Sequence, residues 1–411
     1  MMEVHQTLDE CLSDGSGNMA QKSLNFNDTQ IAFKALSDKD LMRAYWLFKV
    51  IGKPTVVSMG PFLTDVAIKL HLPIQKLIKK TVFAHFCGGE TIKESLQRVD
   101  ELAEFKIGTI LDYAKEGEGK ESDFDGVEAE IIRTIEEAAQ HPFIPFAVFK
   151  PTGIGSTDLL TRKESGASLT SAEEAAFARI KKRFDNICSY AANKNVRIMV
   201  DAEESWFQNT VDGLAQEAMA KYNKKRAIVF NTIQLYRHDR LAFLKESFET
   251  AERSGYFLGV KLVRGAYLEK ENKHAAEKGV RSPINTSKEL TDKSYDDALR
   301  FCVDHIDRVS VCAGTHNEQS AKLLTQLMDK AGIEANDPRL HFAQLLGMSD
   351  HLSFNLAAKG YNVAKYVPYG KVNELLPYLT RRAQENSSVL GQTSRELNLL
   401  TSEMKRRGLK R

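Results

Sequence analysis

The feature of this chain that most limits its fold is an alternation. From about residue 107 onward, short β-prone runs recur, and most are followed by a stretch with helical periodicity. The first four runs are IGTILD (Ile107–Asp112), PFAVF (Pro145–Phe149), VRIMV (Val196–Val200) and AIVF (Ala227–Phe230). FLGVKLV (Phe257–Val263), VSVC (Val309–Cys312), the short and weak Leu340–Phe342 and NVAKY (Asn362–Tyr366) follow. Segments between them, such as Ser171–Asn193 and Asp239–Ser254, have helix composition and periodicity. Strand and helix in alternation predict a parallel sheet covered by helices, because a parallel neighbour is reached only by a crossover. Eight such units over about 280 residues match a closed (β/α)8 TIM-type barrel in number and size. An open doubly wound sheet is the competing arrangement.

Upstream the pattern is helical, from about Asn27 to Asp100, as in Asp38–Val50 and Pro61–Lys80. Lys69, Lys76, Lys79 and Lys80 make the second segment basic on one part of its surface, either as a solvated face or as a membrane-surface helix. Residues 1–26 carry Glu3, Asp9, Glu10 and Asp14 and lack both a secretory apolar core and an Arg-rich transit character. They are expected to be a disordered or loosely docked lead. The expected division is thus residues 1–26, a helical region over 27–105, and a barrel over 106–411. Within the barrel, the acidic, glycine-containing stretch Lys115–Gly126 reads as an exposed loop.

Charge and cysteine usage narrow the function classes. With 57 basic and 55 acidic residues the net charge is only +2, which argues against an electrostatic nucleic-acid binder. The five cysteines, at positions 11, 87, 188, 302 and 312, form no C-x-x-C pair, so neither zinc nor a redox couple is signalled; they suit buried sites in a reducing compartment. No metal site is expected.

A barrel predicts chemistry at the C-terminal ends of its strands. Lys150 ends the second strand and is followed by Pro151-Thr152-Gly153-Ile154-Gly155, too few glycines for a phosphate-binding fingerprint. The third runs into Asp201-Ala202-Glu203-Glu204, which could bind a metal or a hydroxyl-bearing ligand, or cap the next helix. In the fifth, alternation puts Lys261 and Val263 on one face and Leu262 and Arg264 on the other. A cation inside a barrel needs a phosphate, a carboxylate or an electron-rich ring. The sixth ends in Ala313-Gly314-Thr315-His316-Asn317, three consecutive hydrogen-bonding side chains. After the eighth, Tyr378, Arg381, Arg382 and Glu385 share one helix face, with Tyr366 at the end of the preceding strand. That face is either a surface salt-bridged helix or a bidentate carboxylate site. Together the residues predict a barrel mouth rich in cations and suited to an anionic small molecule. They do not give the reaction. A metal-dependent aldolase or isomerase using Asp201, Glu203 and His316, or a non-enzymatic amino-acid sensor, remain alternatives.

At these positions the strings VFKPTGIG, DAEESWFQ, IQLYR, KLVRGAYLEKE, AGTHNE, QLLGMSD and YVPYGKVNELLPYLTRRAQEN occur in order. They closely resemble the proline dehydrogenase family, in its monofunctional, eukaryote-like branch. The resemblance implies FAD held on the barrel and oxidation of L-proline to Δ1-pyrroline-5-carboxylate. It further implies hydride transfer to flavin N5 and electrons passed to a membrane quinone. It assigns Arg381, Arg382 and Lys150 to the proline carboxylate, with Tyr366, Tyr378 and Leu345 as walls and Glu385 orienting Arg382 and near the cofactor. It assigns Asp201, Ala202, Gln234, Val263, Arg264, Ala266, Thr286, Lys288, Thr315, His316 and Asn317 to the flavin, with Lys261 near N5. Two departures stand out. Bacterial members usually have Arg then Lys where this chain has Lys261 and Arg264. Their seventh-strand glutamine is replaced by Ala343, with Gln344 next to it. The bulky Tyr366 favours proline over hydroxyproline, since hydroxyproline enzymes carry a smaller residue there. The resemblance is compatible with peripheral membrane contact and with oligomerisation. It implies a cytoplasmic or inner-membrane-peripheral site in a bacterium, or a mitochondrial one in a eukaryote.

Overall fold

The computed structural model describes residues 24–51, 78–115, 119–388 and 392–410, without the side chains of 383–394. Eight strands form a closed barrel in the order β1-β2-β3-β4-β5-β6-β7-β8. They are β1 Ile107–Tyr113, β2 Phe146–Phe149, β3 Arg197–Val200, β4 Val229–Gln234, β5 Leu258–Val263, β6 Val309–Gly314, β7 Leu340–Leu345 and β8 Val363–Tyr369. Every neighbour is parallel, and β8 closes on β1 with Tyr366 opposite Ile110. That closure excludes the open sheet. The weak seventh run is a full strand that continues to Leu345. The ladder carries it through Ala343 and Gln344, which a search for β-branched residues passes over.

The pleat sorts the side chains. Ile110, Phe146, Val148, Met199, Phe230, Cys312, Ala343, Ala364 and Tyr366 fill the barrel. Their neighbours along the strands, such as Val200, Val260, Leu262 and Val367, face the helices in the larger outer core. The loop expected over Lys115–Gly126 is shorter than the composition suggested, because a helix begins at Glu121 and runs to Gln140. The Lys120 N–H donates to Asp123 Oδ2 at 2.9 Å, and acids in the first turn suit the helix dipole.

A second core lies against the C-terminal ends of the strands. Helix Asp38–Ile51 buries Leu41, Ala44, Tyr45, Phe48 and Ile51 on one face. They pack with Leu375, Tyr378 and Leu379 of helix Val372–Ser388, with Leu399, Leu400 and Met404 of helix Gln392–Arg406, and with Ala114 and Met348 at the mouth. Arg407 fastens the two ends of the described chain, donating to the carbonyls of Phe33 at 2.8 Å and Leu36 at 2.7 Å. Of the basic segment Pro61–Lys80, Lys69 and Lys76 lie outside the described residues, while Lys79 pairs with Glu90. Residues 1–23 of the expected lead also lie outside them. Among the described residues no helix is long and apolar enough to cross a membrane.

Candidate active site

Pleat alternation turns the last polar residue of several strands inward. Asp112 follows Ile110, Lys150 follows Val148, Asp201 follows Met199, and Lys261 lies between the outward Val260 and Leu262. These groups meet. Lys150 Nζ donates to Asp112 Oδ1 at 2.6 Å and lies 3.5 Å from Asp201 Oδ2. Lys261 donates to Asp201 Oδ1 and, at 2.9 Å, to the Tyr366 hydroxyl, which itself donates to Asp201 Oδ1 at 2.9 Å. The Lys261 ammonium also sits 4.8 Å from the Tyr366 ring centroid. The carboxylate and the ring that a buried barrel cation requires are therefore both supplied by the protein.

The electrostatics follow from this pairing. Burial pushes the Asp201 carboxyl up, but Lys261, Lys150 and the donated hydrogen bonds outweigh it and hold the carboxyl below the usual range. Burial, then the charges of Asp201 and Asp112, push the Tyr366 phenol well above its ordinary value, so it stays a donor. Two lysines and two aspartates balance, leaving this core of the mouth close to neutral.

A second group lies outside the strand ends. Arg264 donates to Asp292 at 2.7 Å, Thr315 Oγ1 at 2.8 Å and Ser320 Oγ at 2.9 Å, and its guanidinium lies 4.4 Å from the Tyr295 ring. Lys288 pairs with the same Asp292, and Asn317 Nδ2 reaches its Oδ1 at 3.4 Å. Asn317 also caps helix Glu318–Lys330 through the N–H groups of Gln319 and Ser320. The structure thus gathers Arg264, Lys288, Thr315 and Asn317, whereas Ala266 and Thr286 are exposed on the loops after β5. His316 is partly buried with its Nδ1 2.9 Å from Ser349 Oγ, and desolvation, then nearby cations, lowers its pKa to about 3. Val263 pairs in register with Gln234, and Ala202 directly follows Asp201.

The helix after β8 brings in the arginine pair. Arg382 is buried with its guanidinium 5.1 Å from the Tyr378 ring, and Arg381 lies 5.8 Å from the ring of Tyr267, at the start of the helix after β5. Leu345 packs against both the Tyr378 cluster and the Tyr366 cluster, so the three expected wall residues are contiguous. The side chain of Glu385 lies outside the described residues.

Two residues, Asp112 and Lys365, escaped the sequence reading, and the facing of Ala343 and Gln344 was left open there. Asp112, the innermost partner of Lys150, was legible as an acid at a strand end in IGTILD. Ala343 faces the barrel interior, while Gln344 faces the helices, donating to the Thr315 carbonyl at 3.2 Å and accepting from Ser353 Oγ at 2.8 Å. Lys365, one residue before Tyr366, is wholly buried on the opposite face of β8. The acids named for the metal alternative are engaged by protein groups. The Glu203 carboxylate accepts from Thr152 N and Oγ1 at 3.0 and 2.6 Å, Asp201 is taken by Lys261, and among the described residues no cluster of three or more His, Cys, Asp or Glu side chains could hold an ion.

Comparison with known proteins places this geometry. The family model described as "Proline dehydrogenase" matches residues 95–395. The chain belongs to the proline dehydrogenase family. It is accordingly an oxidoreductase with the barrel expected of that family. Carbapenem antibiotics biosynthesis protein CarD of Pectobacterium carotovorum subsp. carotovorum is 37% identical, over 78% of this chain and 83% of that protein. Proline dehydrogenase 1, mitochondrial, of Dictyostelium discoideum is 32% identical, over 92% and 74%. Hydroxyproline dehydrogenase of Xenopus laevis is 31% identical, over 96% and 92%. Among solved structures, proline utilization A (PutA) from Bdellovibrio bacteriovorus, inactivated by N-propargylglycine, superposes with a TM-score of 0.70 at 19% identity. This chain is covered to 91% and spans 40% of that one, so the likeness speaks for the proline dehydrogenase fold alone.

Proposed function

We propose that the protein oxidises L-proline to Δ1-pyrroline-5-carboxylate with FAD as its resident cofactor. The observation that carries this is the balanced Lys150–Asp112–Asp201–Lys261 core beneath a helix that adds two arginines. The charge of an arriving carboxylate is assigned to Arg381 and Arg382, whose planar forks suit it. Lys150 helps by presenting its charge from below, and Glu385 orients Arg382. Tyr366, Tyr378 and Leu345 wall the ring and fix its pose, a contribution of positioning.

The residues fit FAD. Gln234 is buried on β4 with its Nε2 donating to the Glu203 carbonyl at 2.8 Å, while its Oε1 has no hydrogen-bond partner among the described residues. A buried acceptor left open is costly and suits a ring N–H. Arg264, Lys288, Thr315, His316 and Asn317 offer donors and charge for a pyrophosphate and ribityl chain, flanked by Asp201, Ala202, Val263, Ala266 and Thr286. Held there, FAD would supply the acceptor for the hydride equivalent leaving the ring carbon beside nitrogen, with the proline N–H proton released to solvent. Lys261 keeps a positive charge at the mouth, where negative charge builds up on reduction. The electron acceptor for the reduced cofactor would be a quinone, with the protein peripheral to the membrane that holds it.

Anaerobic titration with L-proline while following the flavin spectrum tests this reading: stoichiometric bleaching is expected, and none would overturn it. The Xenopus relative's name raises hydroxyproline as the second substrate. Tyr366, filling its site between Lys261 and Asp201, argues against it. L-proline should turn over with the higher kcat/KM, and equal turnover of trans-4-hydroxy-L-proline would reverse the choice.

A further inference from the structure

The outward face of β8 carries Val363, Val367 and Tyr369 in the core between barrel and helices, and Lys365 among them. Barrel closure asks only for apolar residues in that layer, and a buried ammonium there is expensive unless fully bonded. Lys365 Nζ has three donors and three acceptors: Asp350 Oδ1 at 2.7 Å, the Met348 carbonyl at 2.6 Å and the Leu345 carbonyl at 3.4 Å. All three belong to the segment that leaves β7, Leu345–Asp350.

That segment touches the site at both ends. Leu345 packs against the clusters of Tyr366 and Tyr378. Ser349 Oγ meets His316 Nδ1 at 2.9 Å, from a left-handed backbone at φ 52° that a non-glycine residue adopts only when its surroundings impose it. Gly347, at φ 73°, lets the segment approach His85, whose backbone carbonyl would lie 2.5 Å from any added Cβ. Burial lowers the His85 pKa to about 4, so the ring is neutral and its Nε2 donates to the Gly347 carbonyl at 2.9 Å.

We infer that Lys365 is a positioning residue, which pins the Leu345–Asp350 segment from beneath and so sets both a wall of the substrate pocket and the imidazole facing the cofactor. The inference rests on the proposed proline and FAD reading for its functional consequence, while the pinning itself is independent of it. A bond network that served only to neutralise a buried charge would be dispensable once both charges were removed.

The test uses the full chain loaded with FAD and the double variant Lys365→Met/Asp350→Asn, which removes the ammonium and its counter-charge together. Three measurements follow: amide exchange over residues 345–350, visible circular dichroism of bound flavin, and steady-state kinetics with L-proline. With cooperative unfolding retained, exchange should quicken about tenfold and the flavin dichroism should change. KM for proline should rise by more than kcat falls, with kcat/KM lowered by up to on the order of 10²-fold. Lys365→Gln/Asp350→Asn, which keeps two N–H donors for the carbonyls, should recover much of the exchange protection. It also serves as the folded comparison should the Met variant not fold. Exchange, dichroism and KM all at wild-type values in a folded variant would overturn the assignment. If proline fails to bleach the wild-type flavin, the substrate reading falls, while exchange and dichroism, read without substrate, still decide Lys365.

Discussion

The two ends of the barrel interior hold their cations in opposite ways. At the floor, Arg197 lies 5.4 Å from the Phe146 ring and donates to the Pro338 carbonyl at 2.9 Å, with His341 Nε2 at 3.4 Å. His341 in turn stands edge-on to Phe146 at 4.9 Å. Among the described residues no carboxylate bonds to either group. Burial, then Arg197, lowers the His341 pKa to about 3, and burial lowers that of Arg197 to about 10. At the mouth, lysines alternate with aspartates. The floor is satisfied by rings and carbonyls, which take no part in ionic exchange. The mouth is satisfied by carboxylates, which a ligand carboxylate can mimic and compete with. The difference teaches which end can respond to an anion.

Breaking the mouth should cost the most. Asp201→Ala strips both lysines of a shared partner, and urea unfolding should show a loss of about 3–5 kcal/mol. Arg197→Met at the floor should lose only about 1–2 kcal/mol in the same assay, because it strands a carbonyl and not a charge. A loss equal to that of Asp201→Ala would erase the contrast. Arg381→Met and Arg382→Met should each weaken proline binding by about 1.5–3 kcal/mol, the range for a hydrogen bond to a charged group. Flavin-reduction titrations should show this, with unfolding midpoints little changed for Arg381→Met. Tyr366→Phe removes the hydroxyl shared by Lys261 and Asp201 and should cost about 1 kcal/mol of stability.

Acid sharpens the comparison least near neutrality. His85, His316 and His341 are neutral in the fold, with pKa values lowered to about 4, 3 and 3 from 6.5, in each case chiefly by burial. Their stabilising contribution is therefore complete above the unfolded value and is lost as pH falls from about 6.5 through 4 to 3. His341→Gln should remove one proton from that slope, about 1.4 kcal/mol per pH unit within the window but under about 1 kcal/mol at pH 6. Unfolding midpoints collected across the window would check it, and an unchanged slope would show that the floor imidazole is charged after all.

The fold was legible because eight apolar runs carry their own period, and even the weak seventh run marked a strand. Strand ends such as Lys150, Asp201 and Lys261 were legible as candidates for the same reason: position along a barrel strand implies position at its mouth. Their partners were not. Lys150 meets an aspartate 38 residues earlier, and Lys261 one 60 residues earlier, and no local pattern encodes which inward groups face one another. Lys365 escaped for a different reason. Its sequence signal is a charge one step out of phase with Tyr366, which reads as a solvated residue until a helix is seen to cover it. The second core escaped because amphipathic helices announce that they bury a face but not against what.

That second core has a kinetic meaning. It joins residues 32–51 to residues 372–404, more than 300 positions apart, and among the barrel strands only the closure of β8 on β1 spans a comparable distance. Contacts of that separation form slowly, because a long loop must close before they are made. Barrel closure waits for β8, and the second core waits for the helices that follow it. The helix bearing Arg381 and Arg382 finds its place only when the first helices and the final one clasp across it. The mouth of the barrel is thus covered by segments drawn from distant parts of the chain.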